Sequence, residues 1–406
     1  MPRPLRSLYI CYQSLTDPLV QSQVVAYLQG LAKHGHTIHL LTFEPSVFSP
    51  AERREWRARL REKGIYWHQR RYHNTPSLPA TIYDVCGGIF TGWRLLRRHR
   101  LELVHARAHV PAAMALALKK LTGCRFLFDI RGFLAEERED TGAWRRDSLP
   151  FRLTKSLERR FIAQADAFVV LTERVRKKLF PDGAPQPLQV IPCCADLSGI
   201  SNQSNQRESM RAQLGLENRT VLVYVGKFGG WYKESEMVDF FAAARTIWPN
   251  LHFVVLTQSE QEIIEREFAR HNLPPETYTV TQAAHSEIGA YLAASDIAIS
   301  FIEACPSKIA SSPTKLGEYL AAGLPVLCNA GVGDVDSIIE EHRAGVVLDD
   351  FESSAYQTAA RSMAELLEDK NLGERCRQAA REHASLEEIG IPRYQSLYAH
   401  LAEAVA

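Results

Sequence analysis

The stretch Phe301–Asp336, FIEACPSKIASSPTKLGEYLAAGLPVLCNAGVGDVD, decides how this chain is read. It predicts a strand end, a polar loop, a short helix, a second strand and a glycine turn in close succession. Ser311 and Ser312 are N-cap residue types, Pro313 suits a first helical position, and Leu316, Tyr319 and Leu320 give an apolar face before Gly323 stops the helix. A helix begun this way presents free backbone N–H groups and about half a positive charge, so its start favours an anion. Lys315 adds formal charge, and Glu318, one turn further, is placed to reach a pair of sugar hydroxyls. A polar loop between an apolar strand and a helix lies at the carboxyl end of that strand, where open α/β sheets bind ligands. The stretch therefore reads as a cradle for phosphate and ribose.

Around it, strand-like runs at Val221–Val225, Phe253–Thr257, Tyr278–Thr281, Ile297–Phe301, Val326–Cys328 and Val346–Leu348 alternate with helical periodicity over Ser235–Ile247, Glu260–Arg270 and Ser286–Ala294. The first loop, Gly226–Lys233 (GKFGGWYK), combines Gly226, Gly229 and Gly230, which let backbone approach a ligand, with Lys227 and Lys233, which suit a diphosphate. Gly331–Asp334, with Gly333 inside it, forms a neighbouring wall.

The first half alternates likewise. Strands are predicted at Leu8–Cys11, Thr37–Phe43, Leu103–Ala106, Arg125–Ile130, Ala167–Leu171 and Leu188–Ile191, and helices at Gln21–Gly35, near Thr81–Arg100, at Pro111–Leu121 and at Phe151–Ala165. Such alternation implies parallel sheets covered on both faces. The polar run Ser198–Ser209 (SGISNQSNQRES) reads as a linker between two doubly wound units, with a cleft between them and closure about Ser201–Ser209. His105, Arg107 and His109 follow one strand closely; Asp129, Arg131 and Gly132 end the next, with Glu136 and Glu137 beyond. A histidine at a strand end can bind substrate or carry a proton, although a lone histidine is more often structural. Arg131, on a glycine turn, suits a forked contact to an anion. The loop Gln13–Gln23 has no G-x-G-x-x-G, so the dinucleotide fingerprint is absent.

With 406 residues, a net charge of +1 and 46% hydrophobic content, the chain reads as an ordinary globular protein of two domains, and nothing demands nucleic acid. No apolar run approaches the roughly 18 residues of a membrane span, and the start does not read as a signal peptide, so a cytoplasmic location is expected. The eight cysteines include no C-x-x-C pair, and most are expected to be buried small residues. Two basic stretches with aromatics, Glu52–Arg71 and Trp93–Arg100, fit solvated helix faces or peripheral attraction to the inner face of an anionic membrane.

The segments QSQVVAYLQGLAKHGHTIHLLTFE, VHARAH, FDIRGFLAEERED, VIPCCADL, YVGKFGGWYK and SPTKLGEYLAAGLPVLCNAGVGDVD together resemble glycosyltransferase family 4, retaining nucleotide-sugar enzymes of the GT-B fold. The resemblance covers nearly the whole chain. It implies an α/β architecture of two Rossmann-like domains facing each other across a cleft. Residues 1–198 would bind the acceptor and 199–385 the nucleotide sugar, and a C-terminal helix in 386–406 would cross back to the first domain. Pro392–Val405, with Leu397, Tyr398, Leu401 and Val405 on one face, suits that helix.

By the same resemblance Glu318 holds the nucleotide ribose, and Lys227 holds the diphosphate together with Lys233, the latter with a one-residue offset. The N–H groups of Thr314 and Lys315 are expected to stabilise the diphosphate, Lys308, Ser311 and Ser312 to substitute for the family's donor-sugar contact, and His109 or Arg131 to orient the reacting groups. A hexosyltransferase is implied, passing sugar from a nucleoside diphosphate to a glycan, lipid-linked or other hydroxyl acceptor in bacterial surface glycan or glycoconjugate synthesis. Neither metal nor other cofactor is required. The implied route is front-face, with Asp129 or Glu137 as a covalent nucleophile the alternative. The sequence departs from the family pattern at Ala310, where many relatives carry a second Glu touching the donor sugar, and in SLTDPLVQSQ, which replaces a double-glycine loop. A nucleotide-sugar epimerase and a non-catalytic nucleotide-sugar binding module stay open as other readings.

Overall fold

The computed structural model describes residues 3–46, 48–201 and 203–403. Asn202, within the expected linker, and Val405, the last apolar position of the expected closing helix, lie outside the described residues. The chain forms two compact units, Met1–Pro192 with Gly390–Ala406, and Cys193–Ile389. The chain thus passes between units at 192/193 and 389/390, where 198/199 and 385/386 were expected.

In the first unit β1 (Arg6–Cys11), β2 (Thr37–Glu44), β3 (Ile65–Arg71), β4 (Leu103–Arg107), β5 (Arg125–Ile130), β6 (Ala167–Val170) and β7 (Leu188–Val190) make one sheet in the order β3-β2-β1-β4-β5-β6-β7. Every neighbouring pair is parallel. The edge strand β3 lies in the stretch expected to be a basic helix face. Only Pro50–Glu62 is helical there, begun by a capping box between Ser49 and Glu52. In β3 Ile65 and Trp67 are buried while Tyr66 is exposed, and the Trp67 ring N–H donates to Thr42 Oγ1 at 2.8 Å. Two inward side chains followed by Gln69, Arg70 and Arg71 leave too short an alternation to stand out from the basic run.

The helix expected over Gln21–Gly35 begins earlier. Asp17 caps it by accepting from the Leu19 N–H at 2.8 Å, and a π-helical turn at Gln21–Val25 precedes Ala26–Lys33. The closing helix, Ile391–Glu403, belongs to the first unit. It buries Tyr394, Leu397, Tyr398 and Leu401, and Ile391 packs so closely on Gly30 that a Cβ there would stand 2.3 Å from its Cδ1.

The second unit holds β8 (Thr220–Val225), β9 (Leu251–Leu256), β10 (Tyr278–Thr281), β11 (Ile297–Ser300), β12 (Val326–Asn329) and β13 (Gly345–Leu348), in the order β10-β9-β8-β11-β12-β13. All pairs are parallel. Val221 and Val223 of β8 join one apolar cluster and Leu222 and Tyr224 the other, so the strand is buried on both faces and reads as one apolar run. Each such side chain contributes roughly 1.5–3 kcal/mol.

The expected linker Ser198–Ser209 is a folded part of this unit. The helix Leu197–Ser201 runs into it, a 3₁₀ turn lies at Ser204–Gln206, and the helix Arg207–Leu214 begins within it. Its polar side chains are used internally: Arg207 donates to the carbonyls of Ala293 at 2.8 Å and Ser295 at 2.6 Å and pairs with Asp296. Five of the eight cysteines are buried, and none forms a disulfide among the described residues. No described helix is long and apolar enough to cross a membrane.

Candidate functional site

In the second unit the strand order reverses between β8 and β11, and the loops after both strands open at that point. The loop 226–233 is stitched to the loop after β11. The Lys233 N–H donates to the Phe301 carbonyl at 3.1 Å, and the Glu303 N–H donates to the Trp231 carbonyl at 2.8 Å. Asn329, ending β12, adds a third tie. Its side chain accepts the Ile302 N–H and donates to the Ile302 carbonyl, both at 2.9 Å. Sequence reasoning missed Asn329, whose only signal is an amide closing an apolar strand.

Two buried lysines dominate this edge. Lys315, in the first turn of the helix Thr314–Ala321, lies 3.2 Å from Tyr224 Oη and 4.2 and 3.9 Å from the ring centres of Tyr224 and Tyr232. Burial pulls its pKa down to about 7, against the opposing pull of Glu318. Gly226 makes room for it. This glycine has φ +142°, and a Cβ there would stand 2.7 Å from the lysine Nζ. Lys308, in the 3₁₀ turn Lys308–Ala310, sits 3.7 Å from the centre of the Trp231 ring. Its carbonyl accepts from the N–H groups of Gly333 and Ser311, both at 2.9 Å, so this turn is tied to the loop after β12. Glu318 is buried one helical turn beyond Lys315.

The remaining expected residues are placed differently. Pro313, not a serine, occupies the cap position of the helix. Ser312 Oγ instead accepts the Cys193 N–H at 3.0 Å, because the chain enters the second unit alongside it. Lys227 is exposed, with its carbonyl accepting from the Tyr224 hydroxyl at 2.6 Å. Lys233 is ion-paired with Glu236 at 2.6 Å and Glu303 at 3.1 Å. Burial works against its charge, but these carboxylates outweigh burial and hold its pKa above the ordinary lysine value. Gly229, at φ +94°, turns the loop that carries Trp231. Thr314 opens the helix at half-buried depth.

In the first unit the order reverses between β1 and β4, and a cavity of about 210 Å³ lies at their carboxyl ends. Tyr12, Gln13, Arg107, His109, Arg131 and Glu137 line it. Arg131 was expected to meet an anion directly. Its Nε instead lies 2.9 Å from Asp129 Oδ1, and its Nη2 donates to the Tyr394 hydroxyl at 2.8 Å. Asp129 is fully buried and also accepts from Tyr394 Oη at 3.0 Å, with His105 Nε2 3.5 Å away. Burial pushes its pKa up, but Arg131, His105 and Arg107 together outweigh that and hold it at about 2. Burial holds His105 below the ordinary histidine value, with Asp129 opposing.

His109 is buried too, its Nε2 2.9 Å from Glu158, which Lys155 also contacts. Between Arg107 and His109, Ala108 adopts φ +69°, ψ −175°, a region that favours glycine. Tyr394 and Tyr398 were missed as parts of this knot because they arrive on the closing helix, far away in sequence.

Residues 20–198 match the model of Glycosyltransferase Family 4, and residues 206–383 match that of Glycosyl transferases group 1. With these two matches and this fold, the chain is a glycosyltransferase of the GT-B type. Among solved structures, a glycosyltransferase from Rickettsia africae is similar over 98% of this chain and 99% of its own, with TM-score 0.73 and 13% identity. Anabaena HepE, in complex with UDP and glucose, is similar over 97% and 99%, with TM-score 0.68 and 14% identity. A Listeria monocytogenes protein assigned as a UDP-N-acetylglucosamine 2-epimerase is similar over 99% and 97%, with TM-score 0.60 and 13% identity. At such identities the likeness shows the fold alone. No curated protein matches the chain by sequence.

Proposed function

We propose that this chain is a retaining, family 4 hexosyltransferase that moves a sugar from a nucleoside diphosphate to a hydroxyl acceptor without a metal. One observation carries the reading. Lys308, Lys315 and Glu318 are buried at the switch point of the second sheet, beside a glycine that leaves room for the ammonium. The similar fold of a protein that binds UDP supports it.

In this reading the diphosphate lies against Lys308, Lys315 and the N–H groups of Thr314 and Lys315, with Lys227 and Lys233 at the outer side and Gly226, Gly229, Gly333, Ser311 and Ser312 shaping the pocket. Glu318 takes the ribose hydroxyls. The chemical task is to stabilise charge on the departing diphosphate, and removing one such positioned donor typically costs about 10²–10³ in rate. The departing phosphate oxygen helps take the acceptor proton on the front face. In the first unit His109 and Arg131 act as positioning groups, each already held by a carboxylate.

A screen of uridine, guanosine and adenosine diphosphate sugars against a panel of acceptors tests the reading, with NMR of the product anomer. Transfer with retained configuration is expected, and inversion would contradict the route. Glu318→Ala should weaken nucleotide binding by about 1.5–3 kcal/mol, and unchanged affinity by calorimetry would remove Glu318 from the site. Epimerisation of the donor is the second reading, since a protein of similar fold is assigned that activity and fold alone does not choose between the two. Conversion of the donor alone, with no transfer to any acceptor, would select it.

A peripheral place at the inner membrane face, with a lipid-linked acceptor for bacterial surface glycan synthesis, completes the proposal. On the helix Ser77–His99, Leu78, Ile82, Phe90 and Trp93 are exposed and share one face, which leads into Arg94 and Arg97. Co-sedimentation with anionic but not neutral vesicles is the expected result, and equal recovery with both would exclude it.

A further inference from the structure

We propose that the cavity at the ends of β1 and β4 binds an anionic group, phosphate or carboxylate, carried by the acceptor, with Arg107 as its chief contact. The inference deepens the transferase reading and rests on it.

Arg107 ends β4 and is 8% exposed. Its Nη1 donates to Gln13 Oε1 at 3.3 Å, and its Nε has no hydrogen-bond partner. Keeping a guanidinium out of water is costly unless an opposite charge or acceptor meets it. Two of the nearby carboxylates are already engaged. Asp129 lies against Arg131 and senses Arg107 only after Arg131 and His105, and Glu158 is shared by His109 and Lys155. No carboxylate pairs with Arg107 among the described residues. Arg131, the other arginine of the lining, is by contrast ion-paired with Asp129 and donates to the Tyr394 hydroxyl.

The helix His109–Thr122, 14 residues long, starts at the same cavity, and the N–H groups of His109 and Val110 have no partner within the helix, whereas Pro111 carries no N–H and Ala112 donates to the Ala108 carbonyl at 3.1 Å. Ala108 sets that start directly beside Arg107 by holding a backbone conformation, φ +69°, that favours glycine. Gln13, whose Oε1 is taken by Arg107, keeps its amide N–H₂ for a ligand in the cavity. A fork of guanidinium donors, a helix start and an amide together suit an oxyanion. Glu137 is the one carboxylate of the lining, and it suits a hydroxyl on the same ligand. The acceptor class that fits is therefore a hydroxylated anion, such as a sugar or polyol bearing a phosphate or a carboxylate.

The full chain is saturated with UDP, so that the second unit cannot take the probe, and titrated by calorimetry with inorganic phosphate and separately with acetate. Saturable binding of at least one probe is expected. Phosphate alone assigns a phosphorylated acceptor and acetate alone a carboxylated one, while absence of both overturns the proposal. Arg107→Gln should weaken the probe at least tenfold with UDP affinity unchanged; undiminished binding in a variant that melts like the parent also overturns it. Should Arg107→Gln fail to fold, Arg107→Lys decides, because it keeps the charge and loses the fork. A loss of at least threefold is then expected, and none overturns the proposal. UDP affinity of the parent reports on the donor reading by itself, so its failure and the failure of the anion site remain distinct.

Discussion

Burial governs the proton on Lys315. An unfolded lysine titrates near 10.4, and burial brings Lys315 to about 7. Between those values the unfolded chain holds a proton that the folded one lacks, so stability should rise with pH from about 7 to 10. A diphosphate placed against the amine would draw the proton back. Nucleotide binding near pH 8 should therefore take up close to one proton, read by calorimetry in buffers of different ionisation heat, and should weaken as pH rises above 7. Lys315→Met should abolish the uptake, and a parent protein showing none would take Lys315 out of the diphosphate site.

Asp129 has the opposite sign. Its folded pKa, about 2, lies below the unfolded value, so its contribution is complete above about pH 4 and is lost as pH falls through 2. Asp129→Asn leaves Arg131 buried without its counter-charge and should cost about 3–5 kcal/mol in denaturant unfolding at pH 7. At this scale the sequence showed which residue types stand at strand ends, and Lys315 and Glu318 were legible from their place on a helix start. The neutralisation of Lys233 was not, because Glu303 comes from a different loop, 70 residues on.

β8 and the helix Thr314–Ala321 were legible because their hydrophobic period runs for several residues without interruption, whereas the helices Ser353–Leu367 and Leu372–Ala384 were not read. Elements were lost where charge masked the period. The edge strand β3 disappeared into a basic run, and the helix Arg207–Leu214 was obscured by the polar residues before it. Arg207 gives the second case a measurable form. If Ser198–Ser209 were a linker, Arg207→Ala would be silent. Because the guanidinium holds two carbonyls and Asp296, the substitution should lower stability by about 1–3 kcal/mol, read as a shifted denaturation midpoint with an unchanged slope.

For the whole molecule, two alternating runs of strand and helix sufficed to predict two parallel sheets, and the strand orders follow from short right-handed crossovers. The polar knot of the first unit could not be foreseen, since it needs Tyr394 and Tyr398 of the closing helix against Asp129 and His105. A chain ended after Ile389 should leave that knot open and lose the apolar seat of the helix. Its melting temperature should fall by more than 10 °C or its soluble yield collapse, measured on the truncated protein beside the parent. An unaltered melting curve would show that the helix is dispensable. The closing helix also bears on the order of events during synthesis. The first 192 residues emerge from the ribosome long before the residues that finish their core, with about 200 residues of the second unit in between. At about 5–20 residues per second that interval is on the order of 10–40 s, during which Asp129 waits for Tyr394. The first unit, begun before the second, is thus completed after it.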